Sequence, residues 1–177
     1  MTPRAETTTR ATRSTRTTAA PSRKGQAAAK TKDALVLLKE DHRRVEALFE
    51  QFESARRADR KQQIVKSICE ELTVHAQLEE EEFYPVAREV LRKNQDLLDE
   101  AEVEHASIKS LVALLESASP SDPLYDAQVT VLKEYVNHHV KEEERQIFPL
   151  IRKSELDTAA LGQVLQTAKQ KLQSKPH

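Results

Sequence analysis

The chain has 177 residues, with 28 Lys/Arg against 29 Asp/Glu, 4% aromatics, two glycines and one cysteine. That length fits one domain with room for a tail, and a glycine-poor composition dominated by Leu, Ala, Glu, Lys and Arg suits long helices rather than sheet. The lone Cys69 excludes a disulfide framework or a thiolate-rich metal site. No apolar run approaches the roughly 18 residues of a membrane span, so the chain reads as soluble and cytoplasmic.

The formal charge of -1 conceals an asymmetry. Residues 1-32 carry eight Lys/Arg against one Glu, leaving 20 basic and 28 acidic residues beyond them. This Thr- and Arg-rich segment reads as a disordered basic tail rather than a transit peptide. From Asp33 the apolar residues fall into four stretches with helical spacing, broken at 55-61, 92-96 and 117-123. The first predicted seam is Leu35, Leu38, His42, Val45, Phe49 and Phe52. The second is Val65, Ile68, Leu72, His75, Glu79, Phe83 and Val86, and the third Leu98, Ala101, His105, Ile108, Val112 and Leu115. The fourth is Leu132, Tyr135, His139, Glu143, Ile147 and Leu150. Pro120 and Pro123 separate the third helix from the fourth, whereas Pro85 and Pro149 should kink or end theirs. Ser154, with Asp157 three residues on, suggests the start of a short C-terminal helix carrying Leu161, Leu165, Ala168 and Leu172. The expected fold is all-α: an up-down-up-down antiparallel four-helix bundle over 33-152, with 153-177 forming a short helix and tail.

The second half repeats the first. His75, Glu79, Phe83, Tyr84 and Pro85 correspond in spacing to His139, Glu143, Ile147, Phe148 and Pro149, and each half also has a histidine on its first arm. With short connections, residues equidistant from a turn lie at one level. His42/His75, His75/His105 and His105/His139 are centred on about residues 58, 90 and 122, in or near the breaks, so all four imidazoles should form one layer. Glu79 and Glu143 follow one turn along the same face. Two carboxylates and four imidazoles in an apolar core call for a cation, and the two ligand-bearing hairpins suit two of them. Mixed nitrogen and oxygen donors without thiolate suit iron, with manganese or zinc as alternatives. The Glu-x-x-His spacing of ferritin-like sites is not the pattern here.

Asp41-His42, His75-x3-Glu79 leading to Phe83-Tyr84-Pro85, Glu104-His105, and His139-x3-Glu143 leading to Ile147-Phe148-Pro149 resemble the hemerythrin-like (HHE cation-binding) domain over about residues 33-152. The resemblance implies a non-haem di-iron centre that meets dioxygen or another small oxidant. His42, His75, His105 and His139 would be terminal ligands and Glu79 and Glu143 bridges, with Glu144 an alternative to Glu143. Oxygen-carrying hemerythrins have a second histidine on the third helix where this chain has Lys109, which argues against simple oxygen carriage. His138 reads as a flanking residue, and Glu80, Glu82, Glu142 and Glu144 as solvated faces or partners outside the ligand set. Binding or sensing of iron or oxidant is the leading expectation. A peroxide- or oxygen-consuming enzyme, with Tyr84 or Tyr135 as proton donor, is an alternative. The third is a stress-associated module whose basic tail contacts nucleic acid, necessarily through salt-dependent phosphate contacts.

Overall fold

Helix α1 (Ala34–Ser54) begins where the Asp33 carboxylate accepts the backbone N–H of Leu35 at 2.9 Å, satisfying a donor that the first turn leaves free. Its buried residues include the whole predicted seam. In the computed structural model, residues 1-2 and 32-174 are described, and these contain helices and no strand. Apart from its first two residues and Lys32, the predicted basic tail lies outside the described residues.

A three-residue link leads to α2 (Ala58–Leu78), which runs through a π-helical turn at Glu79–Phe83 into α3 (Tyr84–Val90). After α4 (Gln95–Ser117) the same sequence of elements recurs as α5 (Tyr125–Glu142), a π turn at Glu143–Ile147 and α6 (Phe148–Lys153). Pro120 and Pro123 both lie in the loop between α4 and α5. Neither Pro85 nor Pro149 ends its helix. Each sits just past a wide turn closed by an i to i-5 bond, from the Tyr84 N–H to the Glu79 carbonyl and from the Phe148 N–H to the Glu143 carbonyl. The extra residue accommodates a proline that cannot donate and whose ring would crowd the carbonyl four residues back.

The wide turn also moves the buried stripe on by one residue. Beyond Phe83 the buried positions are Tyr84 and Ala87, and Val86 is only half-buried. Beyond Ile147 they are Phe148 and Ile151, with Leu150 half-buried. A second correction falls on α5, where Val136 is buried and Tyr135 is 47% exposed. The third seam is buried throughout, as its spacing predicts.

Helix α1 packs on α2, α2 on α4 and α4 on α5. Their apolar residues form two clusters, one containing Leu38, Leu78, Tyr84, Leu98 and Phe148, the other Val45, Leu72, Ile108, Leu132 and Val136. The four histidines fall between them. The chain ends its described part with α7 (Thr158–Gln173), which packs on α1 and α2. Asp157, not Ser154, caps it; Ser154 instead donates its hydroxyl to the Ile151 carbonyl at 2.7 Å.

Gly162 is where α7 meets the start of α1. A Cβ there would lie 2.0 Å from the Lys32 carbonyl oxygen and 3.0 Å from the Ala34 nitrogen. Helix propensity alone favours alanine by about 1 kcal/mol, but backbone cannot yield as a side-chain tip does. Gly162→Ala should therefore destabilise the chain by about 1–3 kcal/mol in urea unfolding; a stabilised variant would mean that α7 does not dock this closely.

Candidate metal centre

Each of the four long helices contributes one histidine: His42 from α1, His75 from α2, His105 from α4 and His139 from α5. Glu79 and Glu143 are the first residues of the two π turns. All six side chains are buried, the two glutamates completely. They converge on one place. His42 Nε2 lies 3.2 Å from His75 Nε2, and His105 Nε2 lies 3.0 Å from His139 Nε2. Glu79 Oε2 is 3.1 Å from His75 Nε2 and 3.3 Å from His105 Nε2. Glu143 Oε2 is 3.3 Å from His42 Nε2 and 3.6 Å from His139 Nε2. Each carboxylate thus reaches one histidine from each pair.

The outward nitrogens face carboxylates. His42 Nδ1 lies 3.0 Å from Glu144, His105 Nδ1 3.0 Å from Glu80, and His139 Nδ1 2.8 Å from Glu104, while His75 Nδ1 has Asp41 at 3.9 Å. A carboxylate at Nδ1 keeps the proton there and turns the Nε2 lone pair inward, the usual arrangement behind a metal-binding imidazole. Each of these acids is the sequence neighbour of one inward residue and serves a histidine on another helix. Asp41 adjoins His42, Glu80 adjoins Glu79, Glu104 adjoins His105 and Glu144 adjoins Glu143. Of the glutamates read as solvated faces or as partners outside the ligand set, Glu80 and Glu144 are partners: they stand behind His105 and His42 at Nδ1.

Both oxygens of Glu79, Oε2 of Glu143 and Nδ1 of His75 are buried without a hydrogen-bond partner. Unpaired carboxylate oxygens in an apolar core are costly. Two buried groups of atoms could each surround an ion, namely His42, His75, Glu79 and Glu143, and Glu79, His105 and His139, with Glu79 in both. Imidazole nitrogens about 3 Å apart suit ligands that each stand about 2.1 Å from a common ion.

Residues 33–151 match the family described as the Hemerythrin HHE cation binding domain. The chain belongs to this family. Its fold is similar to that of a Hemerythrin HHE cation binding domain-containing protein from Mycobacterium kansasii, at TM-score 0.70 and 21% identity, over 80% of this chain and 87% of the other. A protein named DNA nickase from a Nostoc species is 30% identical over 143 residues, 78% of this chain. The chain spans only about 40% of that relative's length.

Within this HHE domain Lys109 turns outward and donates to both oxygens of Glu80 at 2.7 and 2.8 Å. His138 is also outside the centre, with its side chain 60% exposed and Nε2 3.2 Å from Glu104. Tyr84 and Phe148, equivalent in the repeat, pack on His105 and His42. Only Tyr84 has a hydroxyl, and it donates to Glu143 Oε1 at 3.1 Å. Tyr84 was only a candidate from sequence because nothing in the local spacing distinguishes it from a core aromatic.

Burial would lower the pKa of His75, but Glu79 and Asp41 outweigh it and raise the value to about 10. Burial also works to lower the His139 pKa, but Glu143 and Glu104 outweigh it and raise the value to about 10. Burial works to raise the Glu79 pKa, yet His75, His105 and His139 hold it well below the usual range. Without metal, the acids beside His75 and His139 therefore hold those two imidazoles protonated at neutral pH. Since the histidine pKa rises on folding from 6.5 to about 10, the stabilisation is complete below pH 6.5 and is lost as pH climbs towards 10. Divalent metal binding at pH 7 should release about two protons per chain, measurable in a weakly buffered indicator solution, because ligands must be deprotonated. Uptake without proton release would contradict this charge balance.

Glu79→Ala and Glu143→Ala should each lose about one metal equivalent by elemental analysis, whereas Glu142→Ala, which removes a carboxylate outside the centre, should retain the wild-type content. Equal losses in all three would point to general surface charge instead.

Proposed function

We propose that this HHE domain holds a carboxylate-bridged pair of iron ions and uses it to bind or sense a small oxidant such as dioxygen. The observation that carries the reading is a cavity on the side of the imidazoles away from the two glutamates. Its volume is about 20 Å³, and Val45, Leu72, Ile108 and Val136 line it together with the four histidines. Val45 and Ile108 follow His42 and His105 by three residues, and Leu72 and Val136 precede His75 and His139 by three. Glu79 and Glu143 thus close one side and a wall that is aliphatic apart from Asp41 closes the other, leaving room for one water-sized molecule.

The donor set supports iron through its mixture of imidazole and carboxylate. Bound iron would supply electrons and an open position for the oxidant. The chain's own residues do the rest. Glu80, Glu104 and Glu144 aim three of the four imidazoles, Tyr84 holds Glu143 by one oxygen, and the largely aliphatic wall excludes bulk water. Within this proposal the four arms alternate up and down and the protein works in the cytoplasm, which suits the free, buried Cys69. No described helix is long and apolar enough to cross a membrane.

A peroxide- or oxygen-consuming enzyme is the second reading, favoured by the buried Tyr84 hydroxyl near Glu143 and, at 3.4 Å, His105 Nε2. Burial, and then the charges of Glu143 and Glu79, push the Tyr84 pKa well above its usual value. Tyr84 is therefore a firm hydrogen-bond donor but a reluctant acid, and binding is the better-supported function.

The reading predicts two irons per chain and rapid nitric oxide binding to the reduced, loaded protein. Val136→Ile adds about one methylene to the cavity, so it should slow that binding about tenfold or more while leaving iron content unchanged. One iron per chain, or unchanged nitric oxide kinetics in Val136→Ile, would overturn the proposal in its metal or its cavity part respectively.

A further inference from the structure

Three of the four histidines have a carboxylate at hydrogen-bonding distance behind Nδ1, and His75 does not. Its Nδ1 is buried and unpartnered, with Asp41 Oδ2 at 3.9 Å. The other oxygen of Asp41 is drawn outward, because Oδ1 accepts from Lys169 of α7 and, at 3.3 Å, from Arg44. Arg44 is half-exposed and also faces Glu71 at 3.5 Å. Lys169 is the stronger claim on Asp41, since its side chain is only 16% exposed and the contact is shielded from water.

Helix α7 lies beyond residues 33–151, which match the family. It is fixed against α1 by the close approach at Gly162 and by the Thr158 hydroxyl, which donates to Asp33. Lys169 is therefore held over Asp41 by the fold rather than by its own side chain alone.

We propose that Lys169 is a positioning residue for the metal centre: it draws Asp41 away from His75 and so makes the His42/His75 half the weaker binder of the two. A carboxylate bonded to Nδ1 strengthens the donor nitrogen opposite it and typically changes metal affinity ten- to a hundredfold. By engaging Asp41, Lys169 withholds that strengthening from His75 alone. The centre is thereby unequal, with one half backed by Glu80 and Glu104 and the other half backed fully only at His42. Movement of α7 would change the second metal affinity without touching any inner ligand.

The inference rests on the two-metal reading, and ferrous ion titration of the full chain separates the two. Wild type should bind two equivalents with unequal affinity. Lys169→Met keeps most of the buried stem but removes the charge, so Asp41 can close on His75. The weaker equivalent should then bind about tenfold more tightly, the visible spectrum of the oxidised loaded protein should shift, and Lys169→Arg should restore wild-type behaviour. Lys171→Met, on the same helix but not on Asp41, should leave both equivalents unchanged. If Lys169→Met binds like wild type, or more weakly, the positioning role is overturned while the metal centre stands. If wild type itself fails to bind two equivalents, the two-metal reading falls and this inference with it.

Discussion

Two carboxylates with no exposed surface, Glu79 and Glu143, set the terms for the rest of the molecule. An uncompensated charge in an apolar interior costs several kcal/mol, and three of their four oxygens have no hydrogen-bond partner. Positive charge must therefore come from the histidines above them, from metal, or from both in turn. Outside the imidazoles the sign reverses again at Asp41, Glu80, Glu104 and Glu144, and each of those acids meets a basic group: Lys169 and Arg44, Lys109, His138, and Arg43 with Lys39. Charge thus alternates from the centre to the surface along four routes. Removing any one layer leaves the next uncompensated, which is why the site is better treated as a network than as a set of ligands.

The π turns are the backbone counterpart of that network. Each begins at a buried glutamate and finishes just before the residue that packs on a histidine, Tyr84 on His105 and Phe148 on His42. One extra residue in the turn lets a glutamate face the centre and still brings the following aromatic back to the core. A uniform helix would carry these positions apart by about 100° per added residue. Single π turns are common at functional sites for this kind of reason. Their recurrence in both halves preserves the repeat across the site, with the Tyr84 hydroxyl a difference between equivalent positions.

Much of this was legible in the residues themselves. The histidine level followed from midpoints between helices, and the glutamates from their common offset, because both depend only on rise per residue and short connections. The α1 and α4 seams hold throughout because those helices are regular. Apart from Tyr135, the seams through α2 and α5 hold as far as Phe83 and Ile147 and slip by one beyond them, since a fixed three-four spacing has no place for a π turn. Tyr135 was misplaced by one position for a simpler reason: both it and Val136 are apolar enough to continue a stripe, and only packing decides between them. Of the acids behind the histidines, Glu80 and Glu144 were legible as either partners or solvated faces, and Asp41 and Glu104 only as neighbours of candidate ligands. Their partners lie on other helices, so no local spacing connects Glu144 with His42 or Lys169 with Asp41.

The decisive question is whether a pair of metal ions occupies the space between the two imidazole pairs. Anomalous diffraction at the iron edge, from crystals of the iron-loaded chain, tests this directly. It should give two peaks, one beside His42 and His75 and the other beside His105 and His139, with the Glu79 carboxylate between them. A single peak, or iron confined to the exposed Glu104, His138 and Glu142 cluster, would contradict it.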